Sequence, residues 1–109
     1  MKLPNAQLAV VEREKVADYL LELTHRYGAS KARFFSSFGF DVDSLAVALR
    51  EHGQRHDVAR TKETPFGPRF EIEGALPAPD GRAPHVRTVW QMDAGGIAPR
   101  LITAYPFDA

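Results

Sequence analysis

Residues 69–106 constrain the fold more than any other stretch of this chain. Arg69-Phe70-Glu71-Ile72-Glu73-Gly74 alternates charged and apolar side chains with a period of two. A strand with one buried and one wet face requires that period. Pro79-Asp80-Gly81 supplies turn chemistry, and the following run, His85-Val86-Arg87-Thr88-Val89-Trp90-Gln91-Met92, is rich in β-branched and aromatic residues. After Gly95-Gly96 a last run of the same kind covers residues 100–106. Such runs with turns between them predict an antiparallel meander. In the third strand Val86, Thr88, Trp90 and Met92 share one face, and Arg87, Val89 and Gln91 the other. In the fourth, Leu101, Thr103 and Tyr105 are expected opposite Arg100, Ile102 and Ala104. The polar residues 55–63, with Val58 as their one large aliphatic, predict a charged edge strand.

The preceding residues read as helix. Val16, Tyr19, Leu20 and Leu23 recur at helical spacing within residues 12–23, and Gly28 closes that segment. A second helix is expected over 30–38, capped by Ser30, with Phe34, Phe35 and Phe38 as core. Asp41 or Asp43 caps a third, which runs to about residue 51 on a stripe of Leu45, Ala46 and Leu49. Arg50 and His52 suit its carbonyl end, and Gly53 its stop. Residues 3–11 read as a tethered segment covering the core. The expected fold is one α+β domain over residues 1–109, with N-terminal helices packed on a four-stranded antiparallel β-meander. Trp90, Phe70 and Ile72 should pack against Leu20, Phe35 and Leu49.

Charge limits the function classes. The 14 basic and 14 acidic residues cancel, so no global field draws the chain to nucleic acid, and any such site must come from local clustering. The absence of cysteine excludes disulfides and thiolate metal sites. His25, His52, His56 and His85 form no zinc-type pair, so neither a metal nor a cofactor is expected. There is no apolar run near the roughly 18 residues of a membrane span, and no signal-peptide core, so no membrane partner is expected and the cytoplasm is the expected location. Phosphate-loop and nucleophile-elbow motifs are absent.

Local clustering is present. His25, Arg26, Lys31 and Arg33 gather around the junction of the first two helices. Arg69, Arg82, His85, Arg87 and Arg100 recur through the meander, interleaved with Thr88, Thr103 and Tyr105. If the helical junction packs at one end of the sheet, these groups converge. Cations for a phosphate, an imidazole for proton transfer and hydroxyls for orientation suit a phosphodiester. On residue type alone the same side chains read first as the solvated surface of a neutral protein. Glu71 and Glu73 likewise read as solubility on a wet face.

Two blocks add to this reading. The first is Gly28-Ala29-Ser30-Lys31-Ala32-Arg33-Phe34-Phe35, which follows Asp18-Tyr19-Leu20-Leu21. The second is Thr88-Val89-Trp90 with Pro99-Arg100-Leu101-Ile102-Thr103-Ala104-Tyr105-Pro106. With the opening Leu3-Pro4-Asn5-Ala6, they resemble a bacterial domain family of unknown function across nearly the whole chain. That pattern is similar in turn to the metal-independent RNases of the barnase–EndoU–colicin–RelE superfamily. The resemblance implies helices on a four-stranded antiparallel sheet, and His25, Lys31, Thr103 and Tyr105 as catalytic groups. Arg87 and Thr88 lie on the neighbouring strand without a firm counterpart, and with Arg33 and Arg69 of the basic clusters they are the expected substrate-binding groups. Two features depart from the pattern: Lys31 is followed by Ala32-Arg33-Phe34 rather than a second histidine, and the chain is neutral. The expected function is an RNase-like domain, the toxin of a bacterial toxin–antitoxin or conflict system. Its expected partners are RNA and a cognate antitoxin or immunity protein. The alternative is a non-catalytic partner-binding module of the same fold, with a protein–protein interaction or an antitoxin or immunity role, that uses the exposed sheet or the edge strand.

Overall fold

The computed structural model describes residues 1–20 and 29–107, and only the backbone of residues 19, 20 and 29. Helix α1 (Arg13–Lys15) runs into a π-helical turn (Val16–Leu20), followed by α2 (Ala29–Ser37) and α3 (Val42–Arg55). Strands β1 (Val58–Thr64), β2 (Gly67–Ala75), β3 (His85–Gln91) and β4 (Arg100–Pro106) pair in that order, each antiparallel to the next. The chain thus adopts the expected α+β class, with helices on a four-stranded meander. The rest of the expected first helix and its closing Gly28 lie outside the described residues. No helix among the described residues is long and apolar enough to cross a membrane.

Helix α3 seats the helical layer on the sheet. Asp41 caps it through a reciprocal pair: its carboxylate accepts from Ser44 N at 2.8 Å, and Ser44 Oγ accepts from Asp41 N at 2.9 Å. Leu45 and Leu49 are fully buried. The helix does not stop at Gly53 but continues to Arg55, because Gly53 serves packing rather than termination. A Cβ on Gly53 would sit 2.5 Å from Trp90 Cζ2, and one on Gly74 would sit 2.5 Å from the His56 ring. Two missing side chains therefore let helix and sheet interlock around Trp90 and His56. Helix α2 differs too. It is already helical at Ala29, so Ser30 lies within it instead of capping it. Phe35, Phe70, Ile72, Leu49 and Trp90 share one core, as expected; the side chain of Leu20 lies outside the described set.

A directed chain of hydrogen bonds runs through that core. His52 is 2% exposed. Its Nε2 lies 3.1 Å from Gly74 O and 3.0 Å from Val86 O, two acceptors, so Nε2 carries the proton and donates to both. Nδ1 of the neutral ring is then an acceptor and accepts a hydrogen bond from the Thr88 hydroxyl at 2.9 Å. Thr88 Oγ1 in turn accepts from Trp90 Nε1 at 2.9 Å. Burial first, and the nearby His56 and His85, hold the His52 pKa down to about 4 against an ordinary 6.5. Among the described residues no buried side-chain nitrogen or oxygen lacks a partner.

The expected N-terminal cover is a strap across the helical layer. Val58 N donates to Met1 O at the β1 edge (2.7 Å). At the β4 edge Val10 N donates to Pro99 O (2.8 Å) and Leu101 N to Val10 O (2.9 Å). Between them Arg50 donates to the carbonyls of Gln7 and Ala9, and Gln54 to that of Ala6.

The two faces of β4 correct the expected alternation. Trp90 pairs with Leu101 but Val89 with Thr103, an irregularity that leaves Ile102 as the extra residue. The phase of the strand slips there. Leu101 and Ala104 are both buried with the helices, at 1% and 0% exposure, while Thr103 and Tyr105 move to the opposite face. Leu101 therefore does not share a face with Thr103 and Tyr105.

Two outcomes are expected. The unfolded chain takes up a proton at the ordinary histidine pKa of 6.5, the folded chain only near 4. The stability contributed by neutral His52 is full above pH 6.5 and is lost as pH falls to about 4, on the order of 3 kcal/mol in all. Urea unfolding measured across that range should show this slope, and His52→Gln should remove one proton from it. Gly53→Ala should destabilise by about 1–3 kcal/mol through overpacking against Trp90. The helix-propensity gain of up to about 1 kcal/mol should not offset this, and a raised midpoint would contradict the close contact.

Candidate functional site

The slip at Ile102 brings Thr103 and Tyr105 beside the odd-numbered side chains of β3. Tyr105 pairs with Arg87, and Thr103 with Val89. On the neighbouring strand Glu73 pairs with Arg87 and Glu71 with Val89. This face lies opposite α3, and it holds the candidate site.

Lys31 reaches the face from α2, the helix that contacts edge strand β4. Its Nζ donates to Thr103 Oγ1 at 2.9 Å and lies 5.8 Å from the centre of the Tyr105 ring. The expected pair of Lys31 and Thr103, 72 residues apart, therefore meets within a hydrogen bond. Because Thr103 Oγ1 accepts from Lys31, its own O–H can donate outward.

Arg87 organises the next position. Its Nη1 donates to the Tyr105 hydroxyl at 3.2 Å, and its Nε and Nη2 to Glu73 Oε2 at 3.0 and 2.7 Å. Glu71 Oε1 lies 3.5 Å from Nε. These contacts, Tyr105 first and then Glu73, hold the guanidinium above its already high ordinary pKa. With most of its donors engaged, Arg87 orients the Tyr105 phenol, whose oxygen accepts from it and whose O–H can donate outward. Glu71 and Glu73 are half-buried parts of this cluster, not solubility charges. The signal was in the sequence: their alternation on β2 matches the phase of Arg87.

The other expected site residues are dispersed. Arg69 is on the same face but bonds Gln91 Oε1 at 3.2 Å. Gln91 stands four residues from Arg87, roughly 13 Å along a strand. Arg33 is exposed on α2 two residues from Lys31, about 200° around the helix. Thr88 points to the helical side, fully buried between His52 and Trp90. Arg82 pairs with Asp80 and Arg100 with Asp93, at the sheet's margins. His25 lies outside the described residues. Among the described residues no three His, Asp or Glu side chains converge as a metal site. Among the described residues a concave surface lies elsewhere, in an apolar cleft between α3 and residues 77–79 lined by Phe40, Val47 and Ala48. The cluster of Lys31, Thr103, Tyr105 and Arg87 sits instead on the sheet.

The chain belongs to the family described as domain of unknown function DUF6883, which matches residues 2–108. No curated protein matches it. Among solved structures it is similar to a chain of the contact-dependent growth inhibition toxin–immunity protein complex from Klebsiella pneumoniae 342. The TM-score is 0.72 at 18% identity, over 95% of this chain and 97% of that chain. At that identity the likeness is one of fold.

The Lys31–Thr103 bond joins a half-buried lysine to an edge strand, so its stability contribution should be small. Lys31→Met should cost no more than about 1.5 kcal/mol by chemical denaturation. A loss above roughly 3 kcal/mol would make Lys31 a structural residue and not a site residue.

Proposed function

We propose that this DUF6883 domain is a metal-independent RNase of the toxin type, restrained in its cell by a cognate immunity protein. The observation that supports it best is the meeting of Lys31 and Thr103 at 2.9 Å, with the Tyr105 ring beside them. A lysine and two hydroxyls on one open face suit the oxygens of a phosphodiester. The likeness of fold to a chain of a toxin–immunity complex supports the partner.

In this reading the ribose 2′-oxygen attacks the adjacent phosphorus and the bond from phosphorus to the 5′-oxygen breaks. One proton leaves the 2′-hydroxyl and one reaches the departing 5′-oxygen. His25 and the carboxylates Glu71 and Glu73 are the groups that move these protons. Lys31 stabilises the charge gathering on the phosphoryl oxygens. Thr103 and Tyr105 donate to the same oxygens, and Arg87 keeps Tyr105 in place. The products are a 2′,3′-cyclic phosphate and a 5′-hydroxyl.

The test is a fluorescent mixed-sequence RNA oligomer incubated in EDTA, with product ends identified. Cleavage leaving a cyclic phosphate is expected. Lys31→Ala should lose roughly 100- to 1000-fold in rate, as for one lost donor at a developing oxyanion. Lys31→Arg should retain part of the rate, and Glu14→Ala all of it. No cleavage by the parent protein, or equal activity in Lys31→Ala, would overturn the enzymatic reading. The non-catalytic partner-binding module would then take its place.

A further inference from the structure

Beyond Tyr105 on the same face lie two rings that the phosphate chemistry leaves unused. Phe107 N donates to His85 O at 3.1 Å, which continues the β3–β4 ladder past the end of β4. The Phe107 and His85 rings then lie side by side, their centres 6.1 Å apart and their planes inclined by 36°. Arg87 supports this pair as it supports Tyr105. Its guanidinium carbon is 4.8 Å from the centre of Phe107 and 5.7 Å from that of Tyr105. His85 is exposed, and its imidazole makes no hydrogen bond among the described residues. Thr103, Tyr105 and Phe107 alternate onto one face, so the row from Lys31 to the rings spans roughly 13 Å at the rise of a strand. That length accommodates a phosphate at one end and an unstacked base at the other.

We infer that Phe107 and His85 form a stacking platform for a nucleobase of single-stranded RNA. The inference rests on the RNase reading above and supplies its substrate class. Bases in a duplex have both faces covered by their neighbours, so a ring platform on a sheet receives only unpaired bases. The charge of the chain argues the same way. The 14 basic and 14 acidic residues give no net positive field, and Arg87 is already engaged by Glu73 and Glu71, so counterion release supplies little of the affinity at this face. Stacking needs no net charge, and because every base has a π-face it tolerates any sequence.

The test uses the full chain and a labelled single-stranded oligomer that is 2′-O-methylated throughout, so that no 2′-hydroxyl can attack. Binding is followed by fluorescence anisotropy at several salt concentrations. Phe107→Leu should weaken binding by roughly 10- to 100-fold with the salt slope unchanged, since stacking releases no ions. Lys31→Ala should instead flatten the slope by about 0.7 for the phosphate it no longer meets. Phe107→Tyr should bind like the parent, His85→Ala more weakly, and the duplex form of the oligomer poorly. Equal binding by parent, Phe107→Leu and His85→Ala, or equal binding of duplex and single strand, would overturn the platform. Cleavage of natural RNA is scored separately. A parent that cleaves RNA while Phe107→Leu keeps its KM would sink the platform and leave the RNase standing. A parent that binds through Phe107 but never cleaves would sink the RNase and keep the platform.

Discussion

The hydrogen-bonded row from Trp90 through Thr88 to His52 is the contact on which the rest of the structure depends. Each member has its direction set by the next. The indole can only donate, so Thr88 Oγ1 accepts from it and its own O–H donates to Nδ1. The opposite ring nitrogen then donates to two strand carbonyls. The row ties α3 to β2 and β3 where the Gly53 and Gly74 approaches leave no room for adjustment. A buried polar network of this kind rigidifies a core only when every member is satisfied, and here each has its partner.

Thr88 also explains how the two faces of β3 are coupled. It is flanked in sequence by Arg87 and Val89, and it pairs with Ala104, which lies between Thr103 and Tyr105. The residues fixing the core and those carrying the candidate chemistry therefore alternate along the same two strands. The rigidity that His52 gives one face is inherited by the other. Side chains mounted on strands and locked from behind hold their geometry better than side chains on loops.

How much of this was legible in the sequence depended on whether the signal was periodic. The alternation on β2 gave its two faces correctly, and Ser30-Lys31 with Thr103-Ala104-Tyr105 drew attention to the residues that meet. The phase of β4 was not legible, because Ile102 is apolar and fits a strand in either register; only the pairing with β3 reveals it as the extra residue. Gly53 and His52 were misread for a common reason. Glycine and histidine near a helix end have an ordinary local explanation, and that explanation competes with a tertiary one. A clue was available: Thr88 and Trp90 on a buried face both need polar partners, and an imidazole one helix away can supply them.

The N-terminal strap has a consequence for the order in which the molecule is assembled. It holds β1 through Met1 and β4 through Val10, so Val10 completes its bonds only with Pro99 and Leu101, far along the chain. The Lys31–Thr103 contact spans 72 residues in the same way. Contacts this distant along the chain form late, after nearer pairings have reduced the entropy of closing the loop. While the protein is being synthesised, the hairpin of β1 and β2 can form with α3 beside it. No Lys31–Thr103 site exists until β4 has left the ribosome and paired with β3. The topology itself delays assembly of this face until β4 has been made.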